Sequence, residues 1–207
     1  MALLILAAVS GTGKSTIARR LLARRPNLRV SVSHTTRAPR EGETDGVDYH
    51  FVSRETFEDM VAAGAFAEWA EYVGNLYGTA RATIDAAKAA GLDLLFDIEV
   101  QGARQLKAVY PSSIGCFLLP PSWAVLRDRL ERRGTDSMEV VDRRLRRGRV
   151  ELEEAANFDH LVVNDVLEEA VSEVERLIVG ATSGRSLRSD VIHVLIAQAE
   201  ADSALGS

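Results

Sequence analysis

The residues best equipped for chemistry stand near the start of the chain, in Ala8-Val9-Ser10-Gly11-Thr12-Gly13-Lys14-Ser15-Thr16. This stretch follows an apolar run, Leu3 to Ala7, and precedes a helical pattern, which is the strand–loop–helix context of a polyphosphate cradle. Such a cradle needs a concave row of backbone N–H groups, and glycines at 11 and 13 let the chain turn tightly with no Cβ between backbone and oxygen. Lys14 neutralises charge on the β- and γ-phosphates. Ser15 offers a hydroxyl to a Mg²⁺ ion bridging those phosphates, and the helix that starts here aims the positive end of its dipole at the anion. The pattern G-x-x-x-x-G-K-[ST] has one miss, Ala8 in place of its first glycine. The bland alternative is a chance Gly-rich turn; Gly-Lys-Ser between a buried strand and a helix argues against it.

A second concentration of chemistry is cationic. Arg127, Arg129, Arg132, Arg133, Arg143, Arg144, Arg146, Arg147 and Arg149 crowd one stretch, although the whole chain carries a formal charge of −5. Most of them are expected on solvated helix faces beside Glu131, Glu139, Asp142, Glu151, Glu153 and Glu154, and a few are expected to meet phosphate. The negative balance gives no global attraction to nucleic acid. His34, His50, His160 and His193 show no metal-ligand spacing, so no metal is assigned to them. The single cysteine, Cys116, lies in the apolar run Ile114 to Leu119 and reads as a buried inert thiol; no intrachain disulfide is possible.

The elements that must position these groups follow from periodicity. With 207 residues, 46% of them hydrophobic, the chain can bury a full core, which argues for one domain with small insertions. Met1 to Val9 lacks the basic start and small-residue cleavage site of a leader peptide and reads as a first strand. No apolar run is long enough to cross a bilayer, and the expectation is a cytoplasmic protein with no membrane partner. Core strands are predicted at Leu3–Val9, Arg29–Val32, Asp93–Asp97, Ile114–Leu119 and His160–Val163. Helices are predicted at about Lys14–Ala23, Ala103–Val109, Ser122–Arg132, Val140–Asn157 and Leu167–Gly180. This alternation implies an α/β fold: a three-layer core with a parallel sheet covered by helices on both faces.

The middle differs. Between Ser33 and Gly91 come turn-rich polar stretches, short aromatic strands at Tyr49–Val52 and Phe66–Tyr72, and a helix after Ser53 with Phe57, Met60 and Val61 inward, together an inserted substrate lobe. Gly134-Thr135-Asp136-Ser137-Met138-Glu139 joins two Arg-rich helices, with Asp136 able to cap the second, as suits a lid. The expected division is a single domain over 1–180, with core 1–32 and 91–180, lobe 33–90 and lid at about 133–148. Residues 181–207 form an extension, in which Val191, Val194, Leu195 and Ile196 suit a short amphipathic helix while the surrounding Ser, Gly and Arg suit a disordered tail.

The lobe decides what kind of phosphate chemistry is expected. Ser33-His34-Thr35-Thr36-Arg37-Ala38-Pro39-Arg40, Asp45-Gly46-Val47-Asp48-Tyr49, Glu68-Trp69-Ala70 and Gly74-Asn75-Leu76-Tyr77-Gly78-Thr79 occur in that order. They are followed by Asp97-Ile98-Glu99-Val100-Gln101-Gly102, Pro120-Pro121-Ser122, Arg132-Arg133-Gly134-Thr135 and Val163-Asn164-Asp165. In these motifs the chain, from Leu3 to about Leu177, resembles the guanylate kinases. The resemblance implies transfer of the γ-phosphoryl of ATP to GMP, and to dGMP, with Mg²⁺ as cofactor. By the same resemblance, Gly11, Thr12, Gly13, Lys14, Ser15 and Thr16 hold the ATP phosphates and Asn164 and Asp165 contact its adenine. It places the GMP phosphate on Arg37, Arg40, Tyr49 and Tyr77, two guanidinium forks and two phenols. Glu68 would read the guanine N1–H and 2-amino donors, Ser33 and Thr79 would face O6, and Asp97 would close the base site. Arg40, Arg133 and Arg144 match the active-site arginines, the last two carried by the lid.

Departures from the family pattern are Ala8-Val9 for Gly-Pro, Glu99 for a second aspartate, and Val166 where a further acidic residue is common. Two alternatives are weighed against this expectation. A P-loop kinase for another small phosphate acceptor would lack the Glu68, Ser33 and Thr79 set. A non-catalytic guanylate kinase-like interaction module would have lost the loop lysine and the lid arginines. Oligomeric state is not legible in these residues.

Overall fold

In the computed structural model, which describes residues 1–132, 137–180 and 189–205, the apolar run at the start forms strand β1, Leu3–Ala8. Leu4 and Leu6 are fully buried and Ile5 nearly so, as a strand covered on both faces requires. The chain divides into two compact units, and β1 contributes to each.

The first unit comprises Met1–Ile5 and Arg25–Ser113. Here β2 (Leu28–Val30) runs parallel to β7 (Asp93–Asp97), Leu28 opposite Asp93 and Val30 opposite Leu95, and β7 neighbours β1. A second, four-stranded sheet in this unit has β3 (His34–Thr35), β4 (His50–Phe51), β5 (Phe66–Tyr72) and β6 (Asn75–Ala80) in the order β4-β3-β6-β5. β5 and β6 form a hairpin whose turn residues, Val73 and Gly74, both have positive φ, 49° and 76°. That matches the hand required by a two-residue hairpin turn. Helix α2 (Arg54–Ala62) starts at Ser53, whose hydroxyl accepts the Thr56 N–H, the capping expected of serine there. It sends Phe57 against Phe66, Leu76 and Ala80 in a small core, the Phe57 and Phe66 rings stacked at 4.4 Å. Helices α3 (Arg81–Ala89) and α4 (Val100–Val109) complete the unit.

The second unit comprises Leu6–Arg24 and the described residues from Ile114 onward. It holds α1 (Lys14–Arg24), β8 (Ile114–Leu119), α5 (Trp123–Glu131), α6 (Met138–Glu154), β9 (His160–Val163), α7 (Leu167–Ile178) and α8 (Ser189–Leu205). β8 neighbours β1 and pairs in parallel with β9, Cys116 opposite His160 and Leu119 opposite Val163. Cys116 is fully buried and forms no disulfide. Of the two forms left open for the extension, a helix is what residues 189–205 adopt. α8 buries Ile192, Leu195 and Ala199, accepts the Trp123 N–H on Gln198 at 2.9 Å, and takes the Arg127 fork on Asp202 at 3.1 and 2.6 Å. The fold is thus α/β with parallel strand pairing in each unit, and among the described residues no helix is long and apolar enough to cross a membrane.

Candidate active site

The phosphate loop lies in the second unit. Gly11 and Gly13 have φ of 97° and 100°, which side-chain-bearing residues rarely adopt. A side chain would also crowd its neighbours: a Cβ would stand 2.8 Å from Leu130 Cδ2 at position 11 and 2.7 Å from Asn164 Nδ2 at position 13, and these side chains would have to shift. The Thr12 N–H closes a turn onto the Val9 carbonyl at 3.0 Å, and the Gly13 carbonyl accepts Thr16 and Ile17 N–H, both at 3.1 Å, as α1 begins. Lys14 is half-buried and Ser15 exposed in its first turn. Val9 fills the room left by Gly148 of α6, where a Cβ would meet Val9 Cγ1 at 2.7 Å.

Two side chains from distant sequence hold this loop. The Asn164 side-chain amide donates to the Thr12 carbonyl at 2.6 Å, while the Asn164 backbone carbonyl accepts Arg129 Nη2 at 3.0 Å. Glu151, 8% exposed, accepts the Ser10 N–H at 3.0 Å on one oxygen and Arg147 Nε at 2.9 Å on the other. The Asn164 side chain is therefore engaged with the loop itself, and the neighbouring Asp165 is exposed. Arg144 is half-buried on α6; Arg133, with Gly134, Thr135 and Asp136 of the expected lid, lies outside the described residues.

The loop suits a Mg²⁺-nucleotide. Glycine-rich loops that open a helix offer backbone N–H groups to phosphate oxygens, and the exposed Ser15 hydroxyl is the kind of hard oxygen donor that would hold Mg²⁺. Among the described residues no cluster of three or more His, Cys, Asp or Glu forms a metal cage.

The residues expected to hold the acceptor phosphate lie in the first unit, and the sheet order explains the meeting of Arg37, Tyr49 and Tyr77. Arg37 follows β3, Tyr77 sits on β6 opposite Thr35, and Tyr49 leads into β4 on the other side of β3. The Tyr49 and Tyr77 rings are 6.0 Å apart, and the Arg37 guanidinium lies 5.4 Å from the Tyr49 ring centre. Arg37 Nη2 donates to Glu43 Oε1 at 2.8 Å, and the Arg40 N–H to Glu43 Oε2 at 2.7 Å. The Glu43 hydrogen bond raises the Arg37 pKa, so this guanidinium is a permanent cation. Burial pushes the Tyr49 phenol up, with Tyr77 and Asp97 adding to the shift, which keeps Tyr49 a donor. The Arg40 side chain is exposed, Ser33 is half-buried with its carbonyl accepting the His50 N–H, and Asp97 is exposed at the end of β7.

Two of the residues expected to read the base meet on the β5–β6 hairpin. Glu68 and Thr79 are cross-strand neighbours, 4% and 0% exposed, and the Thr79 hydroxyl donates to Glu68 Oε1 at 2.6 Å. Burial pushes the Glu68 carboxyl above its ordinary value, and hydrogen bonds from the Thr79 hydroxyl and N–H pull it back in part. Sequence reasoning missed Glu43, Glu151 and Gly102. Glu43 lies three residues after Arg40 in a turn, which was a usable signal; the other two act only through contacts distant in sequence.

The family model described as guanylate kinase matches residues 1–181. The guanylate kinase of Neisseria gonorrhoeae is 52% identical over 174 residues, covering 84% of this chain and 85% of that protein. That of Syntrophotalea carbinolica is 50% identical over 176 residues, covering 85% and 84%. The crystal structure of guanylate kinase from Anaplasma phagocytophilum aligns with a TM-score of 0.69 at 30% identity, over 89% of this chain and 87% of that one. A phosphate loop opening α1, a buried carboxylate on a small lobe sheet and this extent of likeness agree, and the chain belongs to the guanylate kinase family.

Proposed function

We propose that the chain is an ATP:GMP phosphotransferase, moving the γ-phosphoryl of ATP in line to an oxygen of the GMP phosphate, with ADP leaving and GDP formed. dGMP serves as a second acceptor, since none of the base- or phosphate-reading groups named here is assigned to the 2′-hydroxyl. The observation that carries the reading is Glu68: a buried carboxylate has paired acceptors for the N1–H and 2-amino group that guanine presents together, and adenine presents neither. Arg37, Arg40, Tyr49 and Tyr77 take the acceptor phosphate, with Ser33, Thr79 and Asp97 around the base. Gly11 to Thr16 cradle the donor phosphates, and Asn164 and Asp165 border the donor base.

Ser15 would help hold a Mg²⁺ ion, which would neutralise charge on the donor phosphates. Lys14, Arg40, Arg133 and Arg144 meet the charge that spreads over the equatorial oxygens during transfer, the last two from a lid at about 133–148 that keeps water from taking the phosphoryl group. The reading makes this a cytoplasmic enzyme of purine nucleotide metabolism. An interaction module without turnover is disfavoured by Lys14 and Arg144, which such a module has no use for.

ADP release measured by a coupled assay with GMP, dGMP, AMP and UMP tests the reading. GMP and dGMP should be turned over, and kcat/KM for AMP should be about 10⁴-fold lower or less, as for sites built on hydrogen bonds to the favoured partner. Comparable use of AMP or UMP, or no turnover with GMP, would overturn it. Lys14→Met should lower kcat at least about 10²-fold with GMP affinity nearly unchanged.

A further inference from the structure

Gly102 is the third residue of α4 and is buried. Its φ lies outside the left-handed region, so no backbone demand explains a glycine where alanine would propagate the helix better. Space explains it. A Cβ at this position would stand 2.4 Å from Glu68 Oε2 and 3.2 Å from Glu68 Cδ, with Ile98 Cδ1 at 3.6 Å. The carboxylate of Glu68 therefore occupies the volume that a side chain at 102 would take.

Three residues on, and so on the same helix face, Gln105 grips the strand that carries Glu68. Its Oε1 accepts the Trp69 N–H at 3.1 Å and its Nε2 donates to the Trp69 carbonyl at 2.8 Å. β5 is an edge strand, and the amide of Gln105 stands where a neighbouring strand would bond. Glu68 is thus fixed three ways: Thr79 holds one oxygen, Gly102 leaves room for the other, and Gln105 sets the backbone one residue along.

We propose that Gly102 and Gln105 of α4 are specificity-positioning residues of the acceptor site, Gly102 by leaving the volume into which the Glu68 carboxylate extends and Gln105 by fixing the register of its strand. The inference rests on the reading of Glu68 as the guanine-reading group. The atom in the way of a Cβ at 102 is the far end of a flexible side chain, so a methyl group there turns the carboxylate aside and leaves helix and sheet standing. The effect falls on base recognition and spares the phosphoryl-transfer step.

A double-mutant cycle over Gly102→Ala and Glu68→Ala, with GMP, AMP and ATP kinetics, tests this. Gly102→Ala should raise the KM for GMP at least about 10-fold while kcat stays within about 3-fold and the KM for ATP is unchanged. The GMP-to-AMP ratio of kcat/KM should fall by a similar factor. In the Glu68→Ala background the same methyl group should alter kcat/KM for GMP by less than about 2-fold, since its only target is gone. Gln105→Ala should raise the KM for GMP in the same direction.

An unchanged KM for GMP in Gly102→Ala, or an equal loss in both backgrounds, would overturn the inference. If Gly102→Ala does not fold but Glu68→Ala/Gly102→Ala does, the clash with Glu68 is demonstrated; if neither folds, the space serves something else and the inference fails. Failure of the underlying reading looks different. There, wild-type protein shows no preference for GMP, or Glu68→Ala leaves the GMP-to-AMP ratio where it was.

Discussion

The hydroxyl of Thr79 donates to Oε1 of Glu68 across 2.6 Å, and both side chains are buried. A hydroxyl carries one proton, so while it is given to Glu68 the Thr79 oxygen can only accept from an incoming base; donating to O6 of guanine requires it to rotate. Glu68 is the group whose ionisation the site must settle.

Burial raises the Glu68 pKa in the folded protein. The sign follows: a carboxyl whose folded value exceeds its unfolded one stabilises the fold most below the unfolded value, and that contribution is lost as pH rises through the folded value. Ionising Glu68 therefore weighs against the empty fold, and in the proposed complex guanine's two donors would offset that cost. Glu68→Gln should raise the melting temperature of the empty protein at pH 7, by about 2 °C or more, and weaken GMP binding sharply. Acidification should weaken GMP binding in the wild type from a pH above the ordinary carboxylate range, and the ratio of wild-type to Glu68→Gln affinity, which cancels the titration of the GMP phosphate, should fall over the same window. Calorimetry from pH 4 to 8 on both proteins checks this; a flat ratio would count against it.

Asn164 bonds the Thr12 carbonyl inside the phosphate loop. Asn164→Ala leaves that buried acceptor unpaired, which typically costs about 1–3 kcal/mol. The loop is expected to loosen, with the KM for ATP rising roughly 10-fold and GMP affinity untouched. Steady-state kinetics with each nucleotide varied separates the two, and an equal change in both would refute the assignment.

Arg37 lies among the residues proposed to hold the acceptor, and Arg144 lies on α6. Arg37→Ala should weaken GMP binding directly. Arg144→Ala should spare the binding of either nucleotide alone and lower the transfer rate, because its interaction belongs to the reacting complex. Calorimetry with GMP and single-turnover rates distinguish the two; equal loss of GMP affinity would remove the distinction.

Val73 takes φ of 49° at the tip of the β5–β6 hairpin, 79% exposed. A β-branched residue is strained there, whereas asparagine adopts this conformation readily and Asn-Gly is the favoured pair for such turns. Val73→Asn should stabilise the protein by about 0.5–1 kcal/mol, visible as a rise in the urea midpoint with an unchanged slope. A drop in the midpoint would mean that the valine side chain is packed.

Much of this was legible in the sequence. Asp93–Asp97, Ile114–Leu119 and His160–Val163 are strands with the expected bounds, because each is a short apolar run that a buried parallel strand explains and a solvated helix does not. α3 was not foreseen: only Ile84 and Ala87 of its nine residues are buried, too few to write a period into the sequence. β2 lies at Leu28–Val30 rather than Arg29–Val32, its place set by pairing with β7 and not by its own residues, two of which are exposed. In the candidate site, residue types sufficed for Lys14, Arg37, Tyr49, Glu68 and Tyr77, which carry unusual chemistry in recognisable order. Glu151 and Gly102 escaped, since a carboxylate among many and a glycine in a helix acquire meaning only from a partner that folding delivers.

The hydrogen bonds that hold the phosphate loop join Ser10 to Glu151 and Thr12 to Asn164, 141 and 152 residues away along the chain. During synthesis the loop is made before these partners, at about 5–20 residues per second. Residues 25–113, which include those proposed to hold the acceptor, are therefore translated seconds before the residues that hold the phosphate loop. A nascent chain that stops short of Glu151 carries every residue of the loop motif without the two side chains that hold it, and should bind nucleotide more weakly than the finished chain.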